Sequence, residues 1–114
     1  MSTENIVPHF HVATTPHDPL PEYGGRKAIL YHSADRKRVA ASFHESGKAS
    51  MTMPFDDFSY VVAGTAQMTV DGGEPISLKA GDAFYLKQGQ DVTFDLSHDF
   101  HVVAMLVSDD PIEV

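Results

Sequence analysis

From residue 26 onward the chain alternates hydrophobic and polar positions in short runs, each ended by a turn signal. RKAILYH (26–32), RKRVAASFHE (36–45), KASMTMPF (48–55), DFSYVVA (57–63) and TAQMTVD (65–71) each read as a strand. EPISLKAGDAFYL supplies two more around Ala80-Gly81-Asp82, DVTFDL (91–96) another, and HDFHVVAMLV (98–107) the last. Gly64 marks a tight turn, Asp71-Gly72-Gly73 a hairpin, and Gln88-Gly89-Gln90 a further turn. No segment holds a 3.6-residue period. Eight or nine strands at this spacing predict an all-β antiparallel sandwich or barrel over 26–114.

Residues 1–25 break the pattern. Pro8, Pro16, Pro19 and Pro21, then Gly24-Gly25, rule out a helix and confine any pairing to an edge. This stretch is expected to be an arm against the body, with one short strand near 9–12. Two runs are apolar on both faces: Tyr60-Val61-Val62-Ala63, and 100–107, where Phe100, Val102, Ala104 and Leu106 alternate with Val103, Met105 and Val107. One face of each should fill the interior. The other needs a cover, since an isolated antiparallel sheet normally leaves that face polar. A homodimer is therefore expected, with the arm covering part of the remainder.

Composition narrows the partners. The 114 residues carry 8 Lys and Arg against 16 Asp and Glu, a formal net charge of −8, which disfavours nucleic acid and anionic membranes. There is no cysteine, so thiolate zinc sites and thiol nucleophiles are excluded. No apolar run is long enough to span a bilayer, and the first ten residues lack a signal-peptide pattern. A cytoplasmic location is the expectation.

The stretch SMTMPFDDFSYVVAG (50–64) has the spacing of a metal-binding strand with other residues at the ligand positions. The chain here resembles a cupin, over roughly 40–107. The first cupin motif has glycine, five residues, His-x-His, three or four residues, Glu, six residues and glycine. Met51 and Met53 stand at its histidine positions, Asp57 at its glutamate and Gly64 at its closing glycine; Gly47 is the nearest opening glycine. In the second motif Gly81 and Gly89 match, while Lys87 replaces proline, Val92 replaces histidine and Leu96 replaces asparagine. The likeness is to small single-domain cupins of the ethanolamine-utilisation and ureidoglycine aminohydrolase type. Phe43-His44-Glu45-Ser46-Gly47, GDAFYLKQG and Phe94 fit that subgroup's pattern. The resemblance implies a single RmlC-like jelly roll with a pocket inside it, and Met51, Met53, Tyr85, Val92 and Phe94 are expected to line that pocket.

The chemistry these residues allow is narrower than the family's. Thioether sulfur is soft and suits Cu(I), whereas zinc, iron, nickel and manganese prefer imidazole and carboxylate. Met51, Met53, Asp57 and Val92 thus offer one hard ligand, and a metal-free pocket is expected, the alternative being a divalent ion held weakly by Asp57 and water. An inward carboxylate needs a partner. His101, in an otherwise apolar strand, is the candidate, and an Asp57/His101 couple could work as acid and base. His9 and His11 share a strand face as a possible metal pair, with a surface or packing role favoured. His17, His32, His44 and His98 lack supporting spacing, and Tyr60 and Tyr85 read as core or interface aromatics. Three functions stay open: a small-molecule-binding cupin, an enzyme acting on a small polar metabolite, and an assembly protein with a filled barrel.

Overall fold

The computed structural model describes residues 7–114; the first six residues of the arm lie outside it. Among the described residues ten strands follow one another: β1 (Asp18–Leu20), β2 (Gly25–His32), β3 (Arg38–His44), β4 (Gly47–Thr52), β5 (Asp56–Ala63), β6 (Thr65–Val70), β7 (Ile76–Lys79), β8 (Ala83–Leu86), β9 (Asp91–Leu96) and β10 (His101–Val107). Among the described residues the helical content is one 3-10 turn, Pro21–Tyr23. All strand pairings are antiparallel. They form a six-stranded sheet in the order β1-β2-β3-β10-β5-β8 and a four-stranded sheet in the order β4-β9-β6-β7. The expected all-β jelly roll is the architecture observed.

Period-2 alternation decides what lies between the sheets. Val39 and Ala41 of β3, Val61 of β5, and Val102, Ala104 and Leu106 of β10 point inward and are buried. Val61 and Val102 pack with Ala66, Met68, Leu78 and Val92 from the smaller sheet, while Val39, Ala41, Ala104 and Leu106 form a second cluster with Ile112. Two glycines make close approaches possible. A Cβ on Gly25 would lie 1.6 Å from the His44 carbonyl oxygen, and one on Gly64, where φ is +84°, would lie 2.7 Å from Phe100 Cα. Gly64 therefore closes the β5–β6 turn against the chain entering β10.

The arm differs from its sequence reading. No strand forms at 9–12; the backbone N–H groups of Thr14 and Thr15 both donate to the His11 carbonyl at 3.0 Å, and the Thr15 hydroxyl does so at 2.9 Å. Once these donors close a turn on that carbonyl, extended pairing is lost. The short strand comes later, at Asp18–Leu20, and pairs with β2 as an edge, where Pro19 needs no ladder donor. The last long strand starts at His101, because the Ser97 hydroxyl bonds Asp99 and the Phe100 N–H bonds the Ser97 carbonyl in a tight turn before it.

The outer face of the six-stranded sheet is apolar and open. Phe58, Tyr60 and Val62 of β5, Tyr85 of β8, and Met105 and Val107 of β10 are each more than 40% exposed. Their strand neighbours Val61 and Leu106 are fully buried. The two strands read as apolar on both faces thus bury one face in the interior and present the other outward.

Candidate functional site

A cavity of about 520 Å³ lies between the sheets. Its walls follow from the alternation. β3 contributes Phe43, and the residue just past its end, Glu45, continues the inward series from Val39, Ala41 and Phe43. β4 gives Ala49 and Met51; Met53 and Phe55 follow in the link to β5. β5 supplies Asp57 and Ser59, β8 Phe84, β9 Phe94 and Leu96, and β10 Val102 and Leu106. Phe100 closes one end, Glu22 and Tyr23 of the 3-10 turn and Lys27 of β2 approach from the arm side, and Glu113 and Val114 come from the C-terminus. Five phenylalanines and two methionines thus surround a few polar groups, the usual makeup of a small-molecule site.

The polar groups are mainly carboxyls. Asp57 accepts a hydrogen bond from the Ser59 hydroxyl at 2.6 Å. Burial raises its pKa above the usual carboxylate range, and the Ser59 bond pulls the other way. Glu45 is pushed up to about 7, first by burial and then by the negative charge of Asp57 across the cavity. Glu22 and Glu113 add two more acids, and among the described residues Lys27 is the single basic one in the wall.

Met51, Met53, Asp57 and Phe94 line this cavity. Val92 is buried in the core beside it, opposite Met51 in the β4–β9 register, and does not reach the cavity. Tyr85 belongs to the other side of the wall. Phe84 and Leu86 take the inward positions of β8, so Tyr85 points outward, is 53% exposed, and donates its hydroxyl proton to Asp56. The family's metal-binding positions therefore hold two thioethers, one carboxylate and a valine that lies outside the cavity. This donor set does not fit the hard or borderline divalent ion that four imidazole and carboxylate ligands would hold.

Asp57 and His101 do not form a couple. Asp57 pairs with Leu106 at one end of β10, whereas His101 pairs with Ala63 and His44 at the other. Phe100 and Val102, on either side of His101, face the cavity, so its imidazole projects through the opposite face of the sheet. There it meets Ser42, whose hydroxyl lies 2.8 Å from His101 Nε2 and 2.9 Å from His17 Nε2. The His44 ring stacks on His101 at 3.9 Å between centroids.

Two groups escaped the sequence reading. Glu45 was legible through the inward series 39, 41, 43, but it entered only as part of a loose motif match. The grouping of His17 with His44 and His101 has no spacing signal, because it joins the arm, β3 and β10.

The family comparison agrees with this geometry. Residues 33–101 match the model of the EutQ-like cupin domain. A comparison with curated protein sequences finds no match. Among solved structures, KdgF from Halomonas sp. superposes with a TM-score of 0.70 at 20% identity, over 86% of this chain and 92% of that one. An RmlC-like cupin from Shewanella frigidimarina gives 0.68 at 19% identity, over 86% and 87%. The Clostridium difficile EutQ protein gives 0.64 at 15% identity, over 76% and 71%. With most of the barrel matched by the family model and the jelly roll shared with these neighbours, the chain belongs to the EutQ-like cupin family.

Proposed function

We propose that the chain binds a small organic cation with an apolar body inside the barrel, and does so without a metal in that cavity. The observation that carries this reading is the pairing of two desolvated carboxyls, Glu45 and Asp57, with walls of phenylalanine and methionine. An isolated buried carboxylate is unfavourable, and an incoming ammonium group relieves that state by a charge-assisted bond. Phenyl faces add attraction for a cation through their quadrupole. The acidic excess in the wall raises the local concentration of cations at the same point. Because the cavity is unfilled by side chains, the filled-barrel reading has little support.

A second reading rests on Glu45. A carboxyl that titrates near neutrality is poised to give or take a proton at working pH. If the chain is an enzyme, Glu45 with Asp57 carries the acid–base work on a small metabolite, and His101, outside the cavity, takes no part. The exposed apolar face of β5, β8 and β10 supports a homodimer, in which a second copy covers that face in self-complementary fashion.

The reading is tested by thermal shift with three ligands of one size: 2-phenylethylamine, 2-phenylethanol and phenylacetate. Stabilisation by the amine above the alcohol, and none by the acid, is expected. Equal effects of all three, or preference for the acid, would reject a cation site.

A further inference from the structure

We propose that His17, His44 and His101 form a binding site for a divalent transition ion of the zinc class on the outer face of the six-stranded sheet, beneath the arm. One ring nitrogen from each histidine falls in a group whose members all lie within 4.8 Å of one another. This site is separate from the barrel interior, since Ser42, His44 and His101 occupy the outward positions of β3 and β10. It is also independent of the cation cavity, which uses none of the three histidines.

The tautomers of His17 and His101 are fixed by the surrounding bonds. His17 Nδ1 lies 2.7 Å from the Thr15 carbonyl, which can only accept, so that nitrogen carries the proton. Its Nε2 therefore holds a lone pair, and the Ser42 hydroxyl donates to it. The same Ser42 oxygen then accepts from His101 Nε2–H. A backbone carbonyl on Nδ1–H is the support that ligating histidines usually have, because it orients the ring and makes the free nitrogen more basic.

Three imidazoles without carboxylate or thiolate suit zinc, nickel or copper rather than magnesium or calcium. Tetrahedral ligation brings the nitrogens to about 3.3 Å from one another, given Zn–N bonds of 2.0–2.1 Å. That closure requires His44 to swing out of its stack on His101, and His17, carried on the arm, to follow. Arg26 opposes it: it pairs with His44 across β2 and β3 and shares the outer face.

The test uses the full chain, stripped with chelator and titrated with Co²⁺ by visible absorption and with Zn²⁺ by calorimetry. One ion per chain with the intense absorption of a tetrahedral cobalt site is expected. H17A is the key variant, because its ring lies on the arm outside both core clusters, and H44A and H101A complete the set. Each should weaken binding at least about tenfold, in line with the loss of a ligand. R26A should tighten binding, while H9A/H11A should leave it unchanged. Circular dichroism verifies that each variant is folded, and H17A decides the matter if H44A or H101A is not. Absence of a cobalt band, or undiminished binding in folded H17A, would overturn the proposal.

Discussion

Glu45 and Asp57 enter one cavity from opposite ends of its long wall. Asp57 pairs with Leu106 at the C-terminal end of β10, and the Glu45 N–H bonds the carbonyl of Phe100 just before that strand begins. The charge of Asp57 adds to burial in lifting Glu45 to about 7. Two acids that resist ionisation together, inside an aromatic enclosure, are a receptor for positive charge and a store for one proton.

The proton store makes stability depend on pH. The Glu45 pKa is higher in the folded chain than its ordinary value of 4.5. The folded state therefore keeps a proton that the unfolded state releases. Stability from this group is intact below about pH 4.5 and falls as pH rises toward 7, by at most about 3 kcal/mol. Glu45→Gln cannot lose that proton. Urea unfolding of the two proteins should give similar stability at pH 4.5 and a more stable variant at pH 8. A variant less stable than the parent at pH 8 would contradict the desolvated state of Glu45.

Ser42 links His17 to His101 beneath the arm, and its side chain is fully buried. Ser42→Ala removes the acceptor of the His101 Nε2–H and the donor to His17. A buried polar group left without its partner costs about 1–3 kcal/mol. Chemical denaturation should show a loss of that order, with faster proteolysis of the arm before Leu20. An unchanged midpoint and cleavage rate would mean that the arm is held by other contacts.

The outer sheet face predicts the state of association. Tyr60→Lys and Met105→Lys place charges in the centre of the exposed apolar patch. The parent chain should scatter light as a dimer at micromolar concentration, through an interface above roughly 1,000 Å². The double variant should scatter as a folded monomer. A parent mass of 12.5 kDa would leave the patch uncovered and remove the dimer from the account.

Most of the fold was legible because its signals are local. Alternation showed that one face each of 60–63 and 100–107 turns inward, and glycines such as Gly64 marked the turns that join the strands. The site was legible only in part. Met51, Met53 and Asp57 could be placed by motif spacing, but Tyr85 could not: one residue of register puts a β-strand side chain on the other face. The Asp57/His101 couple failed for the same reason: Asp57 takes an inward position of β5 and His101 an outward position of β10, so the sheet itself stands between them. The strand expected at 9–12 gave way to a turn because Thr14 and Thr15 bond back to His11, a local competition that hydrophobic alternation does not register. His17, His44 and His101 meet through long-range pairing and carry no mark in the sequence.

The central claim is that the barrel carboxyls recognise an organic cation. It is tested most directly by calorimetric titration of 2-phenylethylamine into the parent chain, Asp57→Asn and Glu45→Gln between pH 6 and 8. Binding of an ammonium group favours ionised Glu45, so affinity in the parent should rise with pH through about 7. Glu45→Gln should flatten that rise, and Asp57→Asn should weaken binding at every pH. Affinity that ignores both substitutions, or that falls as pH rises, would contradict the account.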